Sequence, residues 1–193
     1  IKGGINYNLT EKHNVFFNAG FISRAPMFDT SFINSQNSHE RNPDAFNEKV
    51  MSFEVGYGFR SKVFAANVNA YYTKWMDKSL YDSSTDRDGE RYVLNMTGAN
   101  AKHMGIELDF NYTPTRWLNV DGMFSWGDWR WDGLATGFFY NSEGQMVTGA
   151  GGEVVPDMSQ AEQYRYKIRM DNVSVGGSAQ TTAALGLTVR PLE

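Results

Sequence analysis

The sequence has no cysteine and no long apolar run, and these two absences exclude several classes of protein. Without cysteine the chain has no disulfide scaffold, no thiolate metal site and no cysteine nucleophile. No stretch of about 18 apolar residues is present, so no transmembrane helix is predicted. The net charge of −4 is spread along the chain and leaves no basic patch for nucleic-acid phosphates. We therefore expect no nucleic-acid partner.

Proline is also scarce, with 5 prolines beside 19 glycines and 13 phenylalanines. Aromatic side chains suit pleated strands, and glycine serves turns and bulges, so this composition predicts an all-β protein. A mean hydropathy of −0.49 is typical of a soluble protein. It does not exclude a membrane barrel, because every second residue of a barrel strand faces a polar lumen.

Polar and apolar side chains alternate in seven segments, which predicts an antiparallel up-and-down meander of about seven long strands. With their flanks the segments run to about nine to thirteen residues, close to what a tilted strand needs to cross a membrane. The predicted strands cover about residues 4–9, 14–21, 51–60, 64–73, 103–113, 118–126 and 182–190.

Short and long connections alternate along the predicted meander, with long outer loops at about residues 24–47, 76–95 and 128–180. This order places all short turns at one end of the sheet and all long loops at the other, as in outer-membrane barrels. Aromatic residues near strand ends, such as Trp75 and Trp126, are expected in interfacial girdles. The core of a soluble β-protein would carry such residues equally well.

Seven antiparallel strands do not close into a barrel, because the first and the last would meet in parallel. The chain also starts at Ile1 without a signal peptide and stops soon after a predicted strand. We therefore expect residues 1–193 to form a partial outer-membrane β-barrel domain, a segment of a larger transmembrane β-barrel.

Four motifs in a fixed order support this hypothesis: SRAP from residue 23, NEKVMSFEVGYGFR from 47, VFAANVNAYYTKWMDK from 63 and NMTGANAKHMGIELDFNYTP from 95. Their order and spacing resemble the barrel of TonB-dependent outer-membrane receptors over about residues 1–128. The resemblance depends on the following residues: Glu48, Glu54, Gly56, Tyr57, Tyr71, Tyr72, Asp77, Asn95, Gly98, Ala99, Gly105, Ile106 and Glu107.

The resemblance implies part of a receptor that binds and imports a scarce nutrient through the outer membrane of a Gram-negative bacterium. Its implied partners are outer-membrane lipid, its own plug domain, the TonB complex and an unknown small-molecule or oligosaccharide substrate. The plug and the TonB-contacting segment of the family are not found in this sequence. Two alternatives stay open: a passive outer-membrane barrel such as a porin or adhesin-like protein, and a soluble β-sandwich binding domain.

Polar side chains on the face opposite the apolar one are predicted to face the lumen: Glu54, Asn67, Asn69, Glu107 and Asp109. A soluble sheet would turn the same residues to water. Glu54, Glu107 and Asp109 could in principle act as paired carboxylates, but the polarity of a lumen wall explains them more simply.

Aromatic residues in the third long loop are candidates for ligand contact: Trp129, Trp131, Phe138, Phe139 and Tyr140. Such rings stack on sugars and other flat ligands. The simpler interpretation is that they pack against neighbouring loops or belong to the girdle.

The sequence contains no nucleophile elbow, HExxH motif or phosphate-binding glycine loop, so neither an enzyme nor a cofactor is predicted. The acidic run from Asp82 to Glu90 contains a fragment of a calcium loop, but its twelfth-position glutamate and flanking helices are absent. A solvated acidic turn is favoured there. His13, His39 and His103 lack ligand spacing, and no metal site is expected.

Overall fold

The computed structural model describes residues 1–33 and 40–191 and consists almost entirely of antiparallel strands. The strands are β1 (Lys2–Asn8), β2 (His13–Arg24), β3 (Glu48–Arg60), β4 (Phe64–Thr85), β5 (Arg91–Thr115), β6 (Leu118–Asp132), β7 (Leu134–Tyr140), β8 (Met146–Val147), β9 (Tyr166–Arg169) and β10 (Thr181–Val189). Two 3₁₀ helices cover Phe28–Ser31 and Met158–Tyr164. None of the helical segments in the described residues is long and apolar enough to cross a membrane.

The main sheet has the order β1-β2-β3-β4-β5-β6-β10, and every pairing in it is antiparallel. This order confirms the predicted all-β meander of seven long strands. Residues 9–12, 61–63 and 116–117 make the short turns at the lower end of the sheet. The long connections leave its upper end.

The second connection differs from the predicted loop at 76–95, because β4 and β5 continue upward as a hairpin whose turn covers only residues 86–90. The two strands have 22 and 25 residues, twice the length that a membrane crossing requires. Residues 92–97 are buried on both faces of the hairpin, so they lack the alternation that identified the lower strands.

A bulge separates the lower and upper parts of this hairpin. The pairing of β4 with β5 shifts between Trp75 and Lys78, and again before Leu80. Asp77 and Gly98, both motif residues, have φ of 57° and 77° there. Such a bulge bends a ladder and re-aims the side chains beyond it.

The third connection, expected as a loop over residues 128–180, also contains regular structure. Strand β6 extends to Asp132, and Gly133 (φ 85°) then turns the chain into β7. Strand β7 replaces β6 as the neighbour of upper β5 and also pairs with β8 and β9. We call the structure above the sheet, made of residues 27–33, 40–46, 79–101 and 133–170, the head.

The buried apolar core of the described residues lies in the head, not against the seven-stranded sheet. Its central cluster is Ile33, Phe138, Tyr140, Met146 and Val155, with Ala161 and Tyr164 packed at its edge. On the sheet, by contrast, the apolar face is open: Leu185 is 76% exposed, Leu187 68% and Ile5 69%. No layer of the described residues covers that face.

Candidate functional site

The polar face of the sheet carries a row of hydrogen-bonded side chains that crosses four strands. Asn69 on β4 donates through Nδ2 to Glu54 Oε1 on β3 at 3.0 Å and to Glu107 Oε2 on β5 at 3.1 Å. Asn18 on β2 donates to the other oxygen of Glu54 at 3.1 Å. The row arises because paired and diagonal neighbours across strands share a face: Asn18 pairs with Glu54, Asn69 pairs with Glu107, and Glu54 lies diagonally from Asn69.

A second polar pair lies one step lower, where Asn67 Nδ2 donates to Asp109 Oδ2 at 2.9 Å. The structure therefore places all five predicted lumen residues on one face, opposite the apolar side chains. Glu54, Glu107 and Asp109 accept from amides only and have no ion pair with a residue of the described chain. These three carboxylates therefore lack a cationic partner among the described residues.

Aromatic rings lie directly above the row of carboxylates. Trp129 donates from Nε1 to the Tyr71 hydroxyl at 2.9 Å. The His103 ring lies between Trp75 and Trp129, with centroids 6.2 Å and 5.7 Å away. Gly105 makes room for the Tyr71 ring, since a Cβ there would meet the hydroxyl at 2.6 Å.

The row and the rings together line a concavity of about 460 Å³. Its lining residues are Ser52, Glu54, Asn69, Tyr71, Thr73, Trp75, His103, Glu107 and Trp129. Two carboxylates, an amide, hydroxyls, an imidazole and two indoles can accept and donate hydrogen bonds to a polar ligand and stack on a flat one.

The predicted girdle position of Trp75 is wrong. Trp75 pairs in register with Ala101 and lies on the polar face, because it is six residues from Asn69 in a strand of period two. Arg24 and Lys78 lie over its ring, at 5.4 Å and 4.6 Å from the centroid. Trp126 lies on the apolar face and is 46% exposed, as a girdle residue would be.

The five predicted ligand contacts are not brought together. Trp129 lines the concavity, and Trp131 lies on the same face of β6, one step above it. Phe138 and Tyr140 are buried in the head core, a placement that favours the alternative of packing against neighbouring loops. Phe139 packs edge-on against Tyr166 at 4.7 Å. Ligand contact by these residues stays a prediction.

Tyr71, Trp75 and His103 belong to the concavity but were not among the predicted contacts. A signal for them exists in the sequence, because Asn67, Asn69, Tyr71, Thr73 and Trp75 occupy alternate positions of one strand. His103 precedes Glu107 by four residues and so shares its face. For Tyr71 and Trp75, proximity to a strand end favoured a girdle position and hid this parity.

A residue of the first motif and a residue of the second form an ion pair at the upper end of the sheet. Arg24 of the SRAP stretch binds Glu48, with Nη2 2.6 Å and Nε 2.7 Å from Oε2. Glu48 is 1% exposed, and its other oxygen accepts from the Ser79 amide at 3.4 Å. The pair therefore joins β2 and β3 to the rising β4 strand.

The acidic run predicted as a solvated turn forms the tip of the β4–β5 hairpin. Asp86 Oδ1 accepts from the backbone amides of Asp88 and Glu90, both at 2.9 Å. The carboxylate thus caps its own turn. In the described ranges no group of three or more potential ligands could hold a metal ion. His39 lies outside the described residues.

Tyr140 gives the head a testable pH dependence. Burial, together with the nearby carboxylates of Asp44 and Glu40, raises the pKa of Tyr140 to about 12 from the ordinary 10. The folded state thus favours the neutral phenol, and this stabilisation is complete below pH 10 and is lost between pH 10 and 12.

We expect the head to lose about 2 to 3 kcal/mol of stability over that pH range. Thermal unfolding of the full-length protein in detergent from pH 9 to 12 measures it. Tyr140→Phe should flatten the alkaline decrease, whereas Tyr166→Phe, with Tyr140 intact, should keep it. Equal alkaline decreases in the two variants would contradict the assignment.

Residues 2–188 match the protein family described as "TonB dependent receptor-like, beta-barrel". Among solved structures, a similar fold occurs in a chain described as "Copper transporter OprC", with a TM-score of 0.52 and 17% sequence identity. The match covers 70% of this chain and 24% of that one. None of the curated proteins compared with the sequence matches it.

Proposed function

Because this chain belongs to the TonB-dependent receptor-like β-barrel family, we propose that it is a wall segment of an outer-membrane receptor that binds and imports a scarce nutrient. The barrel would lie in the outer membrane of a Gram-negative bacterium. Seven strands form only part of the wall, and the matched segment spans 24% of the OprC chain. Transport is therefore proposed for the whole receptor.

The observation that carries the proposal is the contrast between the two faces of the sheet. Leu108 and the neighbouring positions of one face are apolar and uncovered, whereas Asp109 and its neighbours form a hydrogen-bonded polar wall. Exposing apolar surface to water costs about 25 cal/mol per Å². Hydrocarbon removes that cost, and a wet lumen accommodates the opposite face.

The uncompensated carboxylates favour a further chain segment inside the barrel. Glu54, Glu107 and Asp109 have only amide partners, and a negatively charged wall is stabilised when a neighbouring surface supplies cations. We assign that role to the plug domain of the full-length receptor, which in turn would contact the TonB complex.

The ligand is proposed to be a small molecule or an oligosaccharide that passes the concavity beside Trp129 and His103. Its lining combines ring faces with hydrogen-bonding groups, which suits a polar ligand with flat surfaces. The copper named for OprC is not transferred to this chain, since 17% identity supports the fold alone.

Spin labels at two adjacent positions test the membrane placement. In the full-length receptor in outer-membrane vesicles, a label at Leu108→Cys should be reached by oxygen from the lipid. A label at Asp109→Cys should be reached by a water-soluble nickel chelate. If the label at Leu108→Cys were inaccessible to both, the face would be a protein core and the soluble sandwich would replace our proposal.

Energy coupling is tested separately, by growth on single limiting nutrients. Deleting the receptor and deleting the TonB complex should abolish growth on the same nutrient. A receptor that supports full growth without the TonB complex would instead be a passive barrel.

A further inference from the structure

Basic residues form a row at the upper end of the apolar face. Lys74 on β4 pairs in register with Met51 on β3 and with Lys102 on β5. Lys102 pairs in turn with Arg130 on β6. Directly paired residues point to the same face, so these three cations lie side by side on the outer surface of the sheet.

On β3, β4 and β5 the row marks the limit of the apolar band, whereas on β6 Asp128 lies one step below Arg130 on the same face. Below it, the same face of β3, β4 and β5 carries only uncharged side chains down to the short turns. On this face of β4 and β5 the first charged residues met from below are Lys74 and Lys102. In the proposed orientation this level is where hydrocarbon gives way to the headgroups of the outer leaflet.

Three cations at this spacing need counter-charge. Neighbouring strands are about 4.8 Å apart, and like charges directly opposite each other destabilise a sheet. Lys102 contacts Asp132 at 2.8 Å and Arg130 contacts Asp128 at 2.5 Å, through partly exposed pairs. The Lys74 side chain, at the β4 end of the row, has no hydrogen bond or ion pair in the described part of the chain.

We propose that Lys74, Lys102 and Arg130 bind the phosphate group of an anionic lipid in the outer leaflet. This inference rests on the membrane placement proposed above. The acyl chains of such a lipid would lie along the apolar band below the row, while its phosphate meets the row itself. Partly exposed ion pairs contribute little, so the two paired cations can turn toward the phosphate.

Lipid binding is measured with full-length receptor in uncharged detergent, titrated with fluorescent lipid A, a phosphorylated glycolipid. The row variant Lys74→Gln/Lys102→Gln/Arg130→Gln should bind about tenfold more weakly or worse, because it removes the three cations that would meet the lipid phosphate. The control Lys62→Gln/Lys167→Gln/Arg169→Gln removes the same charge from other positions and should bind within about twofold of the unmodified receptor.

Competition distinguishes the source of the phosphate. Unlabelled lipid A should displace the probe, whereas phosphatidylcholine or inorganic phosphate at the same phosphate concentration should not. Displacement by inorganic phosphate alone would indicate a free-anion site and overturn the lipid assignment.

Equal lipid A affinity in the row variant and the unmodified receptor would overturn the proposal. If the row variant fails to fold, the single variant Lys74→Gln tests the proposal, since this side chain has no partner to lose. Lys74→Gln should weaken lipid A binding several-fold. Unchanged affinity would refute lipid binding by the row. Failure of the membrane placement itself would instead show in the spin labels at Leu108→Cys.

Discussion

Arg24→Met is expected to destabilise the upper end of the barrel by about 3 to 5 kcal/mol, because it leaves the buried carboxylate of Glu48 without a cation. Glu48 is 1% exposed, whereas the side chain of Arg24 is 48% exposed. The single variants Arg24→Met and Glu48→Gln should therefore differ in stability. Glu48→Gln leaves a cation that water can solvate and keeps an oxygen for the Ser79 amide, so its cost should be clearly smaller.

Urea unfolding of the full-length receptor in detergent, followed by tryptophan fluorescence, measures these differences. The double variant Arg24→Met/Glu48→Met should recover most of the loss, since it leaves no buried charge without a partner. Lys49→Met is the matched control: its pair with Asp77 is exposed on both sides and should contribute at most about 1 kcal/mol. Equal losses for Arg24→Met and Lys49→Met would contradict the role of burial.

Gly137→Ala is expected to loosen the head by about 1 to 3 kcal/mol or more, because the new Cβ would overlap the backbone of the paired strand. It would lie 2.2 Å from the carbonyl oxygen of Asn95 and 2.8 Å from Cα of Met96. Backbone atoms in a ladder cannot move aside as a flexible side chain can. Strand β7 would therefore separate from β5 and carry Phe138 and Tyr140 out of the core.

Hydrogen exchange of the amides at 93–97 in the full-length receptor measures this opening and should accelerate about tenfold or more. Gly176→Ala is the control, since a Cβ there has no described atom within 4 Å and its effect should stay within about 0.5 kcal/mol. Unchanged exchange in Gly137→Ala would mean that β7 does not pair with β5 as described.

The lower sheet could be predicted because one face is apolar and the other polar. Met51 to Phe59 and Phe64 to Tyr72 alternate in step with the pleat, and a one-residue slip would reverse both faces. The same alternation placed Glu54 and Glu107 on one wall. The head could not be predicted this way, since residues 92–97 are covered on both faces and show no period.

The candidate site was predicted only in part, for a physical reason. Parity along a strand determines which face Trp75 takes, but proximity to a strand end suggested the girdle instead. The contact between Trp129 and Tyr71 joins residues 58 positions apart and depends on the register of three strands. No local pattern contains that register.

By itself, the sequence determined the strand periodicity, the two-faced sheet, the order of turns and the family, because these depend on neighbouring residues and on motif order. Tertiary structure alone decided the rest: the bulge at Asp77 and Gly98, the pair of Arg24 with the buried Glu48, and the row from Lys74 to Arg130. Each of these depends on which strand residues face one another, and that is set by pairing across the sheet.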